Sequence, residues 1–253
     1  SEGVVRPGMV VVGADSHTCT LGALGAFATG VGATDMAAIW ASGATWFRVP
    51  ETIAVNLTGR LDGPAEAKDV ALAYVAKLGM EGATYRALEF VGDGAPGISM
   101  DGRLTLCNMA VETGAKAGMF YADADAVRHL AEHGVAASPQ AVEESRYEQE
   151  IEIDLAGIVP LVAVPHRVDT VREAEEVAGT EIDQVFVGTC TNGRYEDLAR
   201  FARIVRGKQV AVRTLVVPAS RAVLLRAIAT GVLADIVGAG CMVAPPGCGP
   251  CLG

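Results

Sequence analysis

The sequence predicts an α/β fold with mainly parallel sheets, and three observations lead to this prediction. Runs of β-branched residues alternate with stretches of helical spacing along the 253 residues. Such alternation is typical of parallel strands joined by right-handed crossovers. The composition is 51% hydrophobic and only 5% aromatic with 30 glycines, which suits closely packed helices and strands better than a β-sandwich. A chain of this length can bury a sizeable core, either as one large domain or as two smaller ones.

The first part of the chain predicts a strand, a helical stretch and then a regular alternation. Residues 8–13 form a short apolar run that predicts a buried strand, and the Gly- and Ala-rich residues 21–46 have helical spacing. The elements predicted next are a strand at 51–57, a helix at 65–78 that begins near Asp62 or Pro64, a strand at 87–91 and a helix within 99–118.

The remaining elements suggest a second unit. Residues 121–181 are more charged and less regular, with one helix predicted at 124–133 and an extended run at 150–164. The elements predicted after them are a strand at 182–187, a helix at 194–205, a strand at 210–217, a helix at 220–230 and a Gly-rich strand end at 237–244. We therefore expect a first α/β unit at residues 1–170 and a second at 171–253.

Charge and hydropathy exclude several classes of protein. The formal net charge of −10 would repel a polyanion, and there is no basic stripe, so we expect no nucleic-acid partner. The longest apolar runs are too short to span a membrane, and no basic and apolar leader precedes the first strand. Six cysteines are too few for a disulfide scaffold of this size. We expect a protein of the reducing cytoplasm.

Three of the six cysteines lie where the backbone would expose a thiolate. Cys190 follows a predicted strand and precedes a predicted helix, so it should lie at a strand-to-helix turn, where the helix N-terminus favours a thiolate. Cys248 and Cys251 form a C-x-x-C motif flanked by Gly and Pro, whose two sulfurs can point to one centre. Three convergent thiolates suggest an iron–sulfur site with one iron open to substrate.

Two other interpretations of these cysteines stay open. Cys-Gly-Pro-Cys is also a thioredoxin-type redox motif, although here it lies at the end of the printed sequence. A zinc site would need a fourth ligand, for which Cys241 is the nearest candidate. Otherwise Cys241, Cys19 and Cys107 are interpreted as buried or loop thiols.

Two further groups could contact a ligand. Asp15, Ser16 and His17 follow the first predicted strand; they could converge on one substrate with His17 as acid or base, or Asp15 and Ser16 could simply cap a helix. Asn108 and Glu112 are four residues apart and should share one helix face. They could orient a substrate or form a solvated surface pair.

The remaining histidines are interpreted as structural. The segment from His129 to His133 matches the H-x-x-E-H pattern of inverted zinc peptidases. It is short and stops at Gly134, which indicates an exposed helix with a glycine cap. His166, beside Pro165 at the end of a Val-rich run, is likewise assigned to structure.

Four motifs, in this order, resemble those of the aconitase superfamily, and most closely the large subunit of the isopropylmalate dehydratase and homoaconitase group. They are Gly-Ala-Asp15-Ser16-His17-Thr18, Leu-Cys107-Asn108-Met109-Ala-Val-Glu112-Thr-Gly114, Gly-Thr-Cys190-Thr-Asn192-Gly and Pro-Pro-Gly-Cys248-Gly-Pro-Cys251-Leu-Gly. The resemblance runs over essentially the whole chain. It implies an aconitase-like fold of two three-layer α/β units with mainly parallel sheets around an interdomain cleft.

The resemblance also implies a chemistry. Cys190, Cys248 and Cys251 would hold a [4Fe–4S] cluster whose unligated iron binds the hydroxyl and a carboxylate of a hydroxy-acid. Asp15, Ser16 and His17 would lie at the substrate site, while Asn108 and Glu112 would line the cluster and its bound water. The reaction would be that of a hydro-lyase, in which a hydroxyl moves between adjacent carbons of a 2-hydroxy di- or tricarboxylic acid.

The resemblance finally implies a partner. In the family the serine base comes from a separate swivelling domain or small subunit, and further active-site residues precede and follow the matched motifs. We therefore expect an incomplete large subunit that acts with a small subunit. The alternative is a non-catalytic binding or thiol-redox module that uses Cys248 and Cys251.

Overall fold

The computed structural model describes residues 3–141 and 146–252. The chain divides into two compact units, Ser1–Val177 and Ala178–Gly253. None of the helices in the described ranges is long and apolar enough to cross a lipid bilayer.

The first unit contains three sheets and their connecting helices. Its strands and α-helices are, in chain order, β1 (Val10–Gly13), β2 (Phe27–Gly30), α1 (Ala33–Ser42), β3 (Thr52–Thr58), α2 (Ala67–Leu78), β4 (Ala87–Val91), α3 (Met100–Met109), β5 (Ala117–Met119), α4 (Ala124–Glu132), β6 (Gln149–Asp154), β7 (Leu161–Ala163) and β8 (Val171–Glu173). Two 3₁₀ helices, Ser16–Leu24 and Ala110–Thr113, carry candidate site residues.

The sheets confirm the prediction of mainly parallel strands. In the first unit β1 pairs with β2, and a four-stranded sheet has the order β5-β4-β3-β6, with every pairing parallel. Among the described strands of this unit, the short β7 and β8 form the antiparallel pair. Parallel neighbours need long connections, and here helices provide most of them.

The core of the first unit lies around the four-stranded sheet. Val55 and Leu88 of its central strands are fully buried. Tyr74 of α2 packs against Phe90 with ring centroids 5.4 Å apart, and Phe90 stacks on Phe120 at 4.9 Å. The buried Tyr74 hydroxyl donates to the Leu106 carbonyl at 2.7 Å, so its polar end is satisfied within the core.

The 3₁₀ helix Ser16–Leu24 packs directly against the backbone of β5. At Gly22 an added Cβ would overlap the Gly118 carbonyl oxygen, so this close approach requires a residue without a side chain. The Phe120 amide donates to the Gly22 carbonyl at 3.1 Å. The helix that carries His17 is therefore fixed to the edge of the four-stranded sheet.

The predicted elements of the first unit were correct for β3, β4 and α4. The strand predicted at 8–13 was expected to be buried, but Val10 of β1 is 68% exposed. Two predictions of helix were also wrong. Residues 21–46 form the end of a 3₁₀ helix, then β2 and α1, instead of one helical stretch. The reason is that Gly25 (φ 77°) ends the 3₁₀ helix and the following strand β2 pairs with β1. The helix predicted within 99–118 is α3, which passes into the 3₁₀ helix Ala110–Thr113 and then, after Gly114 (φ 80°), into β5.

The start of α2 also differs from the prediction. The N-cap is Glu66 rather than Asp62 or Pro64, and its backbone amide donates to Asp69 Oδ2 at 2.6 Å. Proline is acceptable before or within a first helical turn, but the reciprocal cap at Glu66 and Asp69 fixes the start of this helix.

The second unit is a three-stranded parallel sheet with helices. Its elements are β9 (Gln184–Gly188), α5 (Thr189–Asn192), α6 (Tyr195–Val205), β10 (Arg213–Val217), α7 (Arg221–Ala229), α8 (Val232–Gly238) and β11 (Met242–Val243). The strand order is β11-β10-β9. The sequence did not predict α8, which begins directly after Gly231 (φ 78°), so the predicted strand end at 237–244 is reduced to β11.

Candidate functional site

Asp15 caps the 3₁₀ helix that carries His17. The backbone amide of His17 donates to Asp15 Oδ1 at 2.8 Å, and the Thr18 hydroxyl donates to the Asp15 carbonyl at 2.6 Å. The capping interpretation of Asp15 is thus confirmed. The same Oδ1 lies 3.7 Å from His17 Nδ1, so Asp15 also adds negative charge beside the imidazole.

His17 lies between two carboxylates. Its Nε2 is 3.7 Å from Glu112 Oε1, with side-chain exposures of 28% for His17 and 34% for Glu112. The interaction with the Glu112 side chain raises the pKa of His17, and the charges of Asp15 and Glu112 add to this effect although burial opposes it. The imidazole is therefore biased towards the protonated form and remains open to solvent.

Asn108 contacts the helix of His17 from its buried side through Thr20. It is fully buried, and its amide Nδ2 donates to Thr20 Oγ1 at 2.8 Å. Thr20 Oγ1 in turn donates to the His17 carbonyl at 2.7 Å. Asn108 and Glu112 thus lie on different helices, α3 and the following 3₁₀ helix, and contact positions three residues apart on the helix of His17. The sequence pattern did not single out Thr20.

A cavity of about 550 Å³ adjoins this group. Its lining includes Ala14, Ser16, Tyr85 and Lys116. The Lys116 ammonium stands 5.0 Å from the centroid of the Tyr85 ring. Neither Tyr85 nor Lys116 belongs to a recognisable motif, which is why the sequence analysis did not find them.

Cys190 lies at a strand-to-helix turn, which confirms its predicted location. β9 ends at Gly188 (φ 123°), and an added Cβ there would overlap the Val217 carbonyl oxygen. Thr189, with φ 68°, is a buried non-glycine residue in the left-handed region. Two successive residues with positive φ give the sharp turn that presents Cys190.

The C-x-x-C motif returns to the same edge of the sheet. The Cys251 amide donates to the Cys248 carbonyl at 3.2 Å, which closes a turn. Between them, Gly249 approaches so closely that an added Cβ would be 2.9 Å from Val217 Cγ2. Val217 ends β10, and it also borders the Gly188 turn. Both cysteine segments therefore lie beside the carboxyl end of β10, as the parallel fold predicts.

The six cysteines fall into two classes. Cys19, Cys107 and Cys241 are buried, whereas Cys190 is half-buried and Cys248 and Cys251 are exposed. Burial raises the pKa of Cys19 to about 12 and raises those of Cys107 and Cys241 as well. Cys241 packs into the core of the second unit, so it does not supply the fourth ligand that a zinc site would need.

Within the described ranges, no group of three or more His, Cys, Asp or Glu side chains is arranged to hold a metal ion. The centroids of the His129 and His133 rings are 4.5 Å apart with the rings tilted by 38°, and His133 Nδ1 lies 2.8 Å from the His129 carbonyl oxygen. Burial and the neighbouring His133 lower the pKa of His129. These contacts agree with a structural role, and Gly134 follows His133, the C-cap of α4.

The fold and these groups define a class of protein: a parallel α/β protein that combines a carboxylate–imidazole pair with three accessible thiols. The sequence model described as "Aconitase family (aconitate hydratase)" matches residues 1–179 and 168–253. The chain belongs to the aconitase family.

Curated relatives carry the names of two types of subunit. The chain is 51% identical to the 3-isopropylmalate dehydratase large subunit 2 of Archaeoglobus fulgidus, with 100% of this chain and 62% of the relative covered. It is 50% identical to the probable methanogen homoaconitase large subunit of Methanosarcina mazei, with 100% and 65% covered. A third relative, the 3-isopropylmalate dehydratase large subunit of Nitratidesulfovibrio vulgaris, is 47% identical, with 99% and 61% covered.

The chain thus spans about three fifths of the length of these relatives. Among solved structures, the aconitase X of Thermococcus kodakaraensis, in its holo-form, matches with a TM-score of 0.58 and 14% identity. The match covers 97% of this chain and 58% of that structure. At this identity the likeness supports the aconitase-like α/β fold alone.

Proposed function

We propose that the chain forms part of the large subunit of a hydro-lyase of the isopropylmalate dehydratase or homoaconitase type. Its substrate would be a 2-hydroxy di- or tricarboxylic acid such as isopropylmalate, homocitrate or a related acid. The observation that carries the proposal is the position of the three accessible thiols at the carboxyl end of β10, in a chain whose relatives are named as these large subunits.

The donor chemistry of three cysteines supports a [4Fe–4S] cluster, although their side chains are not gathered into a metal-binding group in the described residues. Cys190, Cys248 and Cys251 supply three soft thiolate donors, while the other three cysteines are buried. When bound, such a cluster supplies an open iron that acts as a Lewis acid towards a substrate hydroxyl and carboxylate. The glycines at 247 and 249, both with positive φ, let the C-x-x-C backbone adopt a turn that few other residues allow.

The chain's own acid–base group is His17. Hydroxide is a poor leaving group, so removal of a hydroxyl from carbon requires a proton donor. The Glu112 carboxylate, 3.7 Å from His17 Nε2, raises the pKa of His17 and so favours its protonated form. We assign His17 and Glu112 to this transfer and Asp15 to electrostatic support of the imidazole.

Substrate contacts are assigned to the exposed turn around His17. Ser16 Oγ lies 3.4 Å from His17 Nδ1 and borders the 550 Å³ cavity, so it is placed to contact a bound acid. From the sequence, Asn108 was expected to line the cluster and its bound water or to orient a substrate. Its burial and its bond to Thr20 favour an indirect contribution, in which it fixes the His17 carbonyl.

The partner and the compartment follow from the same proposal. The name "large subunit" in the relatives supports a small subunit that completes the site. Iron-ligating thiolates require a reducing compartment, which supports a cytoplasmic location. The net charge of −10 makes a nucleic-acid partner unfavourable.

The experiment that tests the proposal is anaerobic reconstitution with iron and sulfide. Cys190→Ser, Cys248→Ser and Cys251→Ser should each lose the brown iron–sulfur chromophore, since two thiolates hold a four-iron cluster poorly. Cys241→Ser is the matched control and should keep it. The proposal is refuted by a wild-type protein that stays colourless and shows only a reversible Cys248–Cys251 dithiol. With a cognate small subunit added, turnover of a panel of 2-hydroxy diacids would then identify the substrate.

A further inference from the structure

We propose that Arg194 is a positioning residue for the Cys190 ligand, and that retention of the cluster depends on it although it is not itself a ligand. The inference rests on the proposed function, because it concerns the site that would hold the cluster. The evidence for the inference is the backbone conformation around Cys190 together with three side-chain contacts.

The turn that presents Cys190 is strained and needs support. Thr189, a non-glycine residue with φ 68°, lies directly before Cys190. A non-glycine residue in this region is strained and persists only where its surroundings fix it. α5 is a single turn of four residues, Thr189–Asn192, too short to be stable alone. Something outside α5 must therefore hold it.

That support comes from the start of α6. Asp197 in its first turn binds both flanks of the short helix: Asn192 Nδ2 donates to Asp197 Oδ1 at 2.7 Å, and the Arg194 amide donates to Asp197 Oδ2 at 2.9 Å. The Arg194 side chain then turns back, and its Nη2 donates to the Cys190 carbonyl at 2.9 Å. Residues 190–197 are thus closed into a loop, which we call the Cys190 clamp.

Within the Cys190 clamp, the Arg194 side chain bonds directly to the Cys190 backbone. A guanidinium suits the task because it is always charged and its donors are fixed in one plane. A hydrogen bond from a charged donor to a carbonyl is stronger than a neutral one. It also places a positive charge beside a residue that would carry a thiolate, in a chain of net charge −10.

The test compares Arg194→Gln with Arg203→Gln. Arg203 lies in the same helix, α6, and is exposed, so its replacement makes the same change of charge away from the clamp. After anaerobic reconstitution, each protein is challenged with an iron chelator and the loss of chromophore is timed. Arg194→Gln should lose iron about tenfold faster than wild type, the usual effect of removing an outer-shell partner. Arg203→Gln should match wild type.

Hydrogen exchange of the cluster-free chain tests the clamp without iron. The Gly193 amide donates to the Thr189 carbonyl at 3.0 Å, so peptides covering residues 188–193 should exchange faster in Arg194→Gln and unchanged in Arg203→Gln. A wild-type rate of iron loss or of exchange in Arg194→Gln overturns the inference, as does an equal effect in Arg203→Gln. A colourless wild-type protein refutes the proposed function instead, while exchange still decides the role of Arg194. If Arg194→Gln does not fold, Arg194→Lys and Arg203→Lys replace the pair.

Discussion

The buried ion pair between Arg103 and Asp123 offers a sharp test of what stabilises the first unit. Arg103 is 1% exposed, and both of its terminal nitrogens bind Asp123, at 2.8 and 2.6 Å. Its Nε donates to the Ile98 carbonyl at 3.0 Å, and its guanidinium lies 5.3 Å from the centroid of Phe120. Asp123 also caps α4 by accepting from the amides of Asp125 and Ala126. One carboxylate thus serves two functions, which can be separated by substitution.

The expected magnitudes follow from this geometry. Asp123→Asn keeps a capping side chain but leaves Arg103 as a buried charge without a counter-ion, which costs about 3–5 kcal/mol for a fully buried pair. Because the Asp123 side chain is 37% exposed, water screens part of this interaction. We therefore expect Asp123→Asn to lower the free energy of unfolding by about 3 kcal/mol. Asp123→Ala removes the cap as well and should cost about 1 kcal/mol more. The double variant Arg103→Met with Asp123→Asn should be more stable than Asp123→Asn alone, since no unpaired charge remains.

The assay is chemical denaturation at pH 7 followed by near-ultraviolet circular dichroism. Both tryptophans and four of the five tyrosines lie in the first unit, so the signal reports mainly on that unit. Although burial alone would raise it, the bonds from Arg103 and from the Ala126 amide lower the pKa of Asp123. The stabilisation is therefore present above the ordinary Asp pKa of about 3.9 and is lost as the pH falls through the lowered value. The difference in the free energy of unfolding between wild type and Asp123→Asn should become smaller in that acid range.

Two outcomes would refute this reasoning. If Asp123→Asn unfolds at the wild-type denaturant concentration, the pair contributes nothing. If the double variant is no more stable than Asp123→Asn, the cost does not come from an unpaired charge on Arg103. Arg128→Gln, at an exposed pair with Asp125, serves as the control and should change stability by less than about 1 kcal/mol.

Two further predictions concern the helix of His17. Glu112 raises the pKa of His17. The stability contributed by the His17–Glu112 pair is therefore full below the unfolded His pKa of about 6.5 and is lost as the pH rises through the raised folded pKa. Glu112→Gln should therefore lower the His17 pKa in an NMR titration and destabilise the protein at pH 6 but not at pH 9; an unchanged titration would contradict the pairing. Gly22→Ala should cost about 3 kcal/mol or more by thermal unfolding, because the new methyl would overlap the Gly118 carbonyl. Gly97→Ala, which meets open space, should change stability by less than about 1 kcal/mol, and equal effects of the two would refute the packing argument.

The sequence predicted those parts of the fold in which residue type and periodicity agree. β4 was placed at residues 87–91 and α4 within 124–133, because apolar runs and caps mark both. The prediction for residues 21–46 was wrong because Gly and Ala differ little in hydrophobicity. The spacing of apolar residues in that stretch therefore does not distinguish helix from strand. The four-residue α5 and the seven-residue α8 are too short for a periodic pattern to reveal.

The candidate site was predictable where backbone chemistry leaves a mark on the sequence. The predicted strand and helix around Cys190 indicated one turn, and the Gly and Pro residues of the C-x-x-C indicated another; the structure places both beside Val217. Contacts between distant residues left no such mark. Thr20 and Asn108 are 88 positions apart in the sequence, and no local pattern predicts their hydrogen bond. The Arg103–Asp123 pair, 20 positions apart, was missed for the same reason.

The burial of Cys19, Cys107 and Cys241 has a consequence for how the proposed cluster would assemble. Metal delivery and oxidation both proceed through the thiolate, and a thiol with a pKa of about 12 is almost never ionised near neutral pH. A chain with six equally reactive cysteines could assemble iron on many wrong sets of three. Under the proposed function, burial disfavours the thiolates of Cys19, Cys107 and Cys241, which would leave Cys190, Cys248 and Cys251 as the accessible ligands for an incoming iron donor. Selectivity in assembly would then arise from the folding of the apoprotein, before any metal arrives.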